Sequence, residues 1–232
     1  MGAGPQRYSS SIEDYLKTIY ALQERGGPAI TTSRLAERLG VLPSSVSGMV
    51  RKLSDLALLE HQRYGAISLT PAGRKVALGV VRRHRLIELY LVTELGYSWD
   101  EVHDEAEILE HAVSDRLLER ICERLGDPRF DPHGDPIPTR DGEIRDWDAQ
   151  RLSTSEPGAR GALVRVDDAD PGMLRHLSAQ GIRLGNRVEL VERAPYGGSY
   201  VVRVEAAEGR ASATTHHLGA ELVAAMWVQV DA

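Results

Sequence analysis

The hydrophobic period of this chain changes once, and the change falls in a stretch that suits neither period. Up to about residue 125, apolar side chains recur every three or four positions, the spacing of amphipathic helices. Residues 126–158 (GDPRFDPHGDPIPTRDGEIRDWDAQRLSTSEPG) are rich in Pro, Gly and Asp and read as a linker with little regular structure. After Gly158, short apolar runs at 162–166, 187–193, 199–204 and 227–230 are separated by turn residues, as in a small β-barrel. Residues 170–180 read as one helix within it. With 232 residues, two or three small domains fit. The expected fold is mainly α with small β.

The helical part has an internal order. Ile12, Tyr15, Leu16, Ile19 and Leu22 give a first amphipathic helix over 11–25. A short helix follows over 32–39, with Thr32 as its N-cap and Leu35, Ala36 and Leu39 on its apolar face. Gly40-Val41-Leu42 is a tight connection. Pro43 then takes the favoured first-turn position of a helix over 43–56. Two short helices joined by such a turn make a helix-turn-helix. Residues 58–70 alternate around a polar turn with Gly65 and read as a hairpin, the wing. A long helix starts at Thr70-Pro71 and runs towards Leu95. Two more helical stretches start near Ser98 and Ser114.

The formal charge of −6 looks wrong for a nucleic-acid partner, but its distribution does not. Residues 31–85 hold ten Lys/Arg against three Asp/Glu, the electrostatic footprint of a DNA-binding domain. On the second helix of the pair, Pro43, Ser44, Ser45 and Ser47 lead to Arg51 and Lys52. Thr32 and the wing's Arg63 complete the expected DNA-binding set. Hydroxyls suit phosphates and base edges, and Arg and Lys supply the salt-dependent attraction. A helix of this kind fits the major groove of double-stranded DNA.

A second constellation is His103-Asp-Glu-Ala-Glu107-Ile-Leu-Glu110-His111, which puts four metal-ligand side chains on one helix face. His84 and Glu88 repeat the i,i+4 spacing on the long helix. Asp14 on the first helix can complete a site by contact across helices. Carboxylates with imidazole and almost no thiolate suit Mn(II) or Fe(II), with Zn(II) or other divalent metals binding in vitro. The bland alternative is a solvated face stabilised by i,i+4 pairs.

Composition closes other routes. Cys122 is the single cysteine, so neither an intrachain disulfide nor a Cys-only zinc cluster can form. No apolar run is long enough to span a bilayer, and the N-terminal residues lack a signal peptide's apolar region. A soluble, cytoplasmic protein is expected.

These stretches resemble the diphtheria-toxin-repressor-like family of iron- and manganese-dependent regulators. The resemblance is carried by IEDYLKTIYAL (12–22), LAERLGVLPSSVSGMVRKL (35–53), LTPAGRKVA (69–77), RRHRLIELYL (82–91) and VHDEAEILEHAVSD (102–115). PGMLRHLSAQGIRLGNRVEL (171–190) resembles the family's SH3-like, FeoA-type domain. The resemblance implies a winged helix-turn-helix at 1–76, a helical metal-binding and dimerisation domain at 77–145, a linker at 146–157 and a C-terminal SH3-like β-barrel at 158–232. It implies a homodimer that binds a palindromic operator when metal-loaded, with repression as the default. The family's principal site maps onto Asp14, Glu107, Glu110 and His111. Iron-type members carry Met and Cys where this chain has Asp14 and Glu107, so the manganese-type branch is implied, with Mn(II) ahead of Fe(II). An ancillary site maps onto His84, Glu88 and His103, completed by Asp170 or Asp131. Met173 stands where iron-type members have an amide ligand. Compact manganese regulators with a two-metal cluster carry Glu three residues after the first Asp. This chain has Lys17 there, which favours two more separated sites.

Two rivals follow from the same residues. A carboxylate-bridged dimetal oxidase needs a Glu-x-x-His pair from each of two helices, and only one such stretch is present. A winged-helix sensor of an organic ligand or oxidant, with Cys122 as a switch, is the other. His216 and His217 are adjacent on a strand and point to opposite faces, so they make a poor ligand pair.

Overall fold

In a computed structural model, which describes residues 8–24, 26–61, 66–145, 147–196, 198–205 and 213–231, the helical order is the expected one. Helix α1 (Ser10–Glu24) buries Ile12, Tyr15, Leu16, Ile19, Tyr20 and Leu22. Helix α2 (Thr32–Leu39) is capped by Thr31, not by Thr32. The Thr31 hydroxyl accepts from the Arg34 amide, so Thr32 is already in the first turn. Thr31 has the extended backbone an N-cap needs, and adjacent threonines do not reveal in sequence which one adopts it. Gly40, at φ 65, ends α2 in the left-handed conformation. Helix α3 (Pro43–Asp55) then starts on Pro43 and buries Val46, Val50 and Leu53.

Strands β1 (Leu59–His61) and β2 (Ile67–Leu69) pair antiparallel as the wing's base, with Leu59 opposite Leu69. Arg63 lies outside the described residues. The Ile67 amide donates to the Ile30 carbonyl and ties the wing to the loop before α2. One core joins these elements through Leu16, Leu35, Leu53 and Ile67. Full burial of each such side chain stabilises by about 1.5–3 kcal/mol.

Helix α4 (Pro71–Leu95) begins in this core and leaves it. Its far half packs Leu86, Ile87 and Leu91 against α5 (Val102–Leu109) and α6 (Asp115–Arg124), whose N-cap is Ser114. Three of the ten basic residues counted above turn inward here. Arg82 reaches the Pro138 carbonyl, Arg83 the Glu13 carboxylate, and Arg85 the Pro136 carbonyl and Asp135. They are structural cations, and the charge available to DNA is smaller than the sequence count.

Much of the segment expected to be a plain linker is buried. Residues 131 and 133–138 have little exposure, and the Val166 amide donates to the His133 carbonyl. Gly134 sits at φ +86 against the next layer, where an added Cβ would lie 1.9 Å from the Val164 carbonyl oxygen. Gly134→Ala is therefore expected to lower stability by about 3 kcal/mol or more, from left-handed strain plus overpacking. Urea unfolding reads this, and an unchanged midpoint would contradict it.

The C-terminal part is one antiparallel sheet. Strands β3 (Gln150–Arg151), β4 (Arg160–Val166), β5 (Arg187–Arg193), β6 (Tyr200–Glu205), β7 (Thr214–Leu218) and β8 (Met226–Val230) lie in the order β3-β8-β4-β5-β6-β7. Helices α7 (Pro171–Ala179) and α8 (Ala220–Ala224) cover it. Residues 150–154, expected within the linker, form β3 and a 3-10 turn, and Leu152 is fully buried in this domain's core. Trp99 from the helical part packs on the same core, and its indole N–H donates to Ser178 at 2.8 Å. Among the described residues, no helix is long and apolar enough to cross a membrane.

Candidate metal centre and DNA-binding face

Helix α4 brings the acidic residues together, because its near half packs against α1 in one core and its far half against α5 in another. Asp14 projects from α1 next to buried Tyr15 and Leu16. Glu110 caps α5, and His111 follows it. His111 Nε2 lies 2.7 Å from Asp14 and 3.4 Å from Glu110 Oε1. On the other side of Glu110, Oε2 lies 2.6 Å from His84 Nδ1. Asp14, Glu110 and His111 form one donor set, and His84, Glu107 and Glu110 form another, each with its atoms within 4.8 Å of one another. The four residues expected to form one principal site are thus divided over two sets, with Glu110 shared among those of the four that meet.

Two neighbours complete this place. Lys17 Nζ lies 2.6 Å from Glu107 and 2.7 Å from Glu110. Glu13, almost fully buried beside Asp14, pairs with Arg83 at 2.6 Å and meets His111 Nδ1 at 2.9 Å. A carboxylate on one imidazole nitrogen orients the ring and leaves the other nitrogen for a ligand. Glu13 has no sequence signal beyond its place next to Asp14. Its burial depends on Arg83, which is 70 positions away.

Glu88 joins a second region. His84 Nε2 lies 2.9 Å from Glu88 Oε1, and His103 Nδ1 lies 3.4 Å from it. From the C-terminal part, Asp168 and not Asp170 stands beside these residues. Asp168 Oδ2 is 3.5 Å from His103 Nδ1. Asp170 is the N-cap of α7, and its carboxylate accepts from the Gly172 amide. Pro171 behind it starts the helix and fixes that role. Met173 packs on the C-terminal core. On the opposite side, Asp131 and the unexpected His133 form a buried set with Glu88, with His133 Nδ1 at 3.8 Å from Glu88 Oε2. Asp131 also accepts from the His133 and Asp135 amides through Oδ1, so one of its oxygens holds the turn. His216 contacts Gln180 and Thr214, away from these groups.

The donor chemistry suits a divalent cation. His84 Nε2, both oxygens of Glu88, His103 Nδ1, Glu110 Oε1 and His133 Nδ1 are buried without a hydrogen bond of acceptable geometry. Buried polar atoms normally have partners, and here several converge on shared points. Oxygen and imidazole donors together match borderline-hard first-row ions.

The electrostatics point the same way. Burial disfavours the His84 imidazolium, yet Glu88 and Glu110 together outweigh it and lift the pKa to about 9. His103 is lifted to about 10, first by the nearby Asp168 carboxylate and then by Glu88. Burial, then Asp135 and Glu88, push Asp131 up to about 8. Burial also raises Asp14. Burial works against the Lys17 ammonium, but Glu110 and Glu107 hold its pKa above the ordinary value. Protons and one lysine are compensating a strongly anionic place. A cavity of about 490 Å³ runs along it, touching Asp14, Glu107, Asp131 and Asp168 and reaching Arg38 of α2.

The expected DNA face stands on the same core. Pro43, Ser44, Ser45, Ser47, Arg51 and Lys52 are exposed on α3, whereas Thr32 is half-buried. The Ser47 hydroxyl donates back to the Pro43 carbonyl at 3.0 Å and is engaged within its own helix.

Comparison with known proteins agrees with this organisation. Residues 7–67 match the iron dependent repressor N-terminal DNA binding domain. Residues 70–139 match the iron dependent repressor metal binding and dimerisation domain, and residues 150–230 the FeoA domain. The chain is 40% identical over 205 residues to the iron-dependent repressor IdeR of Mycobacterium leprae, covering 83% of this chain and 88% of that protein. It is 33% identical over 191 residues to the diphtheria toxin repressor of Corynebacterium efficiens, covering 78% of this chain and 83% of that protein. A solved manganese-dependent transcriptional repressor complex with manganese is 46% identical, with a TM-score of 0.88 over 94% of this chain and 99% of that one. The manganese regulator SloR is 30% identical, with a TM-score of 0.78 over 95% and 98%. The chain belongs to the iron-dependent repressor family, with that family's DNA-binding, metal-binding and dimerisation, and FeoA domains in chain order.

Proposed function

We propose that this metal-dependent DNA-binding repressor senses Mn(II) ahead of Fe(II) and binds a palindromic operator as a metal-loaded homodimer. Its relatives are repressors and not enzymes. The observation that carries the reading is where the donors come from. Asp14 belongs to the helix that shares the winged-helix core, Glu107, Glu110 and His111 to the dimerisation part, and Asp168 to the FeoA part. The ligands we assign are Asp14, Glu107, Glu110 and His111 in one region, and His84, Glu88, His103 and Asp168 in the other, with Asp131 and His133 behind Glu88. Carboxylates at both Asp14 and Glu107, with no thiolate near, favour Mn(II). The division into 1–76, 77–145 and 158–232 serves this reading, with residues 150–154 folded into the last part.

A bound divalent ion supplies the charge that lets these carboxylates share one place. Asp14 then holds α1 against the end of α5, and α3 moves with α1 because both are set in one core. In a dimer this fixes the distance between the two α3 helices, which must match half-sites about 34 Å apart on the duplex. Ser44, Ser45, Arg51 and Lys52 contact base edges and phosphates, and Arg63 extends the contact from the wing. Operator DNA raises metal affinity by the same factor, because coupling is reciprocal.

The test is fluorescence anisotropy on DNA from upstream of a manganese-uptake gene of the same genome, at fixed salt. Chelator-stripped protein is titrated with Mn(II), Fe(II) and Zn(II). Binding is expected to appear at the lowest concentration with Mn(II) and to vanish on chelation. Equal binding with and without metal would overturn the reading.

A further inference from the structure

We infer that Trp99 is a positioning residue for the second donor region: its indole clamps the FeoA part so that Asp168 stays beside His103. This rests on the reading above that His84, Glu88, His103 and Asp168 hold an ion, and it adds what keeps the ligand from the other domain in reach.

Trp99 stands in the turn before α5, four positions ahead of His103. Its indole N–H donates to the Ser178 hydroxyl on α7 at 2.8 Å, and its ring packs on the C-terminal core. Helix α7 starts at Pro171, three positions after Asp168. The segments that carry His103 and Asp168 are thus tied together within a few residues of the ligands, and Asp168 Oδ2 comes to 3.5 Å from His103 Nδ1. Asp100 also reaches Arg175 of α7 at 3.5 Å, but the Arg175 side chain is 64% exposed. An ion pair that open to water contributes little. The partly buried indole bond is the firmer grip.

The same residue reaches the buried side of the region. The Trp99 carbonyl accepts from His133 Nε2 at 2.6 Å, and the imidazole stacks on the indole with 6.4 Å between ring centroids. A carbonyl can only accept, so Nε2 carries the hydrogen, and the neutral ring keeps its lone pair on Nδ1. Nδ1 faces Glu88 Oε2 at 3.8 Å. A ligating histidine is normally oriented by such a bond on its other nitrogen. Trp99 therefore holds His133 and the FeoA part at once. The chain itself keeps the FeoA part near, so losing the clamp lowers the effective concentration of Asp168 at His103 without removing it. The loss in affinity is that of one hydrogen bond, and by reciprocity an ion held by Asp168 tightens the clamp.

The experiment measures Mn(II) binding to the full-length chain by equilibrium dialysis with elemental analysis. The proteins are the parent, Trp99→Phe, Ser178→Ala, the double variant and Ser178→Thr, each checked for fold by far-UV circular dichroism. Asp168→Ala identifies the binding step that belongs to the second region. Trp99→Phe and Ser178→Ala are each expected to weaken that step by roughly 2- to 10-fold. The double variant is expected to lose no more than either single one, and Ser178→Thr, which keeps the hydroxyl, to bind as the parent does. The step of the Asp14, Glu110 and His111 set is expected to stay unchanged, which a general loss of structure would not allow. If Trp99→Phe does not fold, Ser178→Ala against Ser178→Thr carries the comparison. An unchanged second step in the single variants, equal weakening of both steps, or additive losses in the double variant would overturn the inference while leaving the metal centre standing. A parent with no step that Asp168→Ala weakens would instead bring down the second-region reading and this inference with it.

Discussion

Glu110→Ala is expected to destabilise the metal-free protein by about 3–5 kcal/mol, the cost of breaking a buried ion pair by removing one partner. It is also expected to abolish metal-dependent DNA binding. Glu110 is fully buried, and its Oε2 lies 2.7 Å from Lys17 and 2.6 Å from His84. Alanine leaves both cations facing a gap, with only Glu107 and Glu88 to balance them. The same residue belongs to both donor sets around α1 and α5, so neither set is left complete. Burial alone would raise the carboxyl's pKa, but His84 and Lys17 bring it below the ordinary value, so it is ionised at neutral pH. Glu110→Gln separates the two effects. The amide keeps the volume and an acceptor for Lys17, so less stability is lost, but the charge that a divalent ion needs is gone. Urea unfolding reads the first effect and anisotropy against Mn(II) the second. A Glu110→Gln protein that still gained DNA affinity with Mn(II) at the parent's concentration would remove Glu110 from the ligand set.

Sequence is most informative where a property repeats along one element. Helix α4 carries its period for seven turns, and its start follows from Thr70-Pro71, so it was legible nearly to the residue. His84 and Glu88 share a spacing on α4 and His103 and Glu107 on α5, with Glu110 as its C-cap and His111 just beyond, and the two helices bring them together. Sequence is silent where burial depends on distant chain. Arg82, Arg83 and Arg85 look like part of a basic DNA face, yet they end on Pro138, Glu13 and Asp135. His133 sits in a Pro- and Gly-rich stretch that composition marks as linker, and only its packing against β4 shows that it is core. Asp167, Asp168 and Asp170 are equivalent in composition. The difference is that Asp170 precedes Pro171 and caps α7, which leaves Asp168 to face His103. Donor sets assembled across domains have no period for a sequence to show.

Glu88→Gln is expected to weaken the pH dependence of the metal-free protein's stability between pH 6.5 and 10, chiefly through His84. Glu88 is fully buried beside three histidines, and neither of its oxygens has a well-formed hydrogen bond. Burial would raise its own pKa, but His84, His103 and His133 hold it well below the usual carboxylate range. In return Glu88, with Glu110, lifts His84 to about 9 and contributes, after Asp168, to lifting His103 to about 10. Both histidines are thus more basic folded than unfolded, where the ordinary value is 6.5. The stability they contribute is complete below pH 6.5 and is lost as pH rises through 9 to 10. Asp131, raised to about 8 by burial, Asp135 and Glu88, adds a loss of the same sign that starts lower, above pH 3.8. With glutamine at 88, His84 loses its principal anion, His103 keeps only Asp168, and Asp131 loses one of the charges that raise it. The profile above pH 6.5 should flatten, and the protein should be weaker at pH 7 than its parent. Metal affinity follows the opposite slope. His84 and His103 must each shed a proton before an imidazole nitrogen can coordinate. The parent's apparent Mn(II) affinity at this region should therefore rise by roughly 100-fold per pH unit below pH 9, the value for two released protons. Urea midpoints at pH 6.5, 8 and 9.5, with and without Mn(II), measure both slopes on one protein. If Glu88→Gln kept the parent's metal-free profile, the histidines would owe their basicity to other groups, and Glu88 would not be the anion that His84 and His103 share.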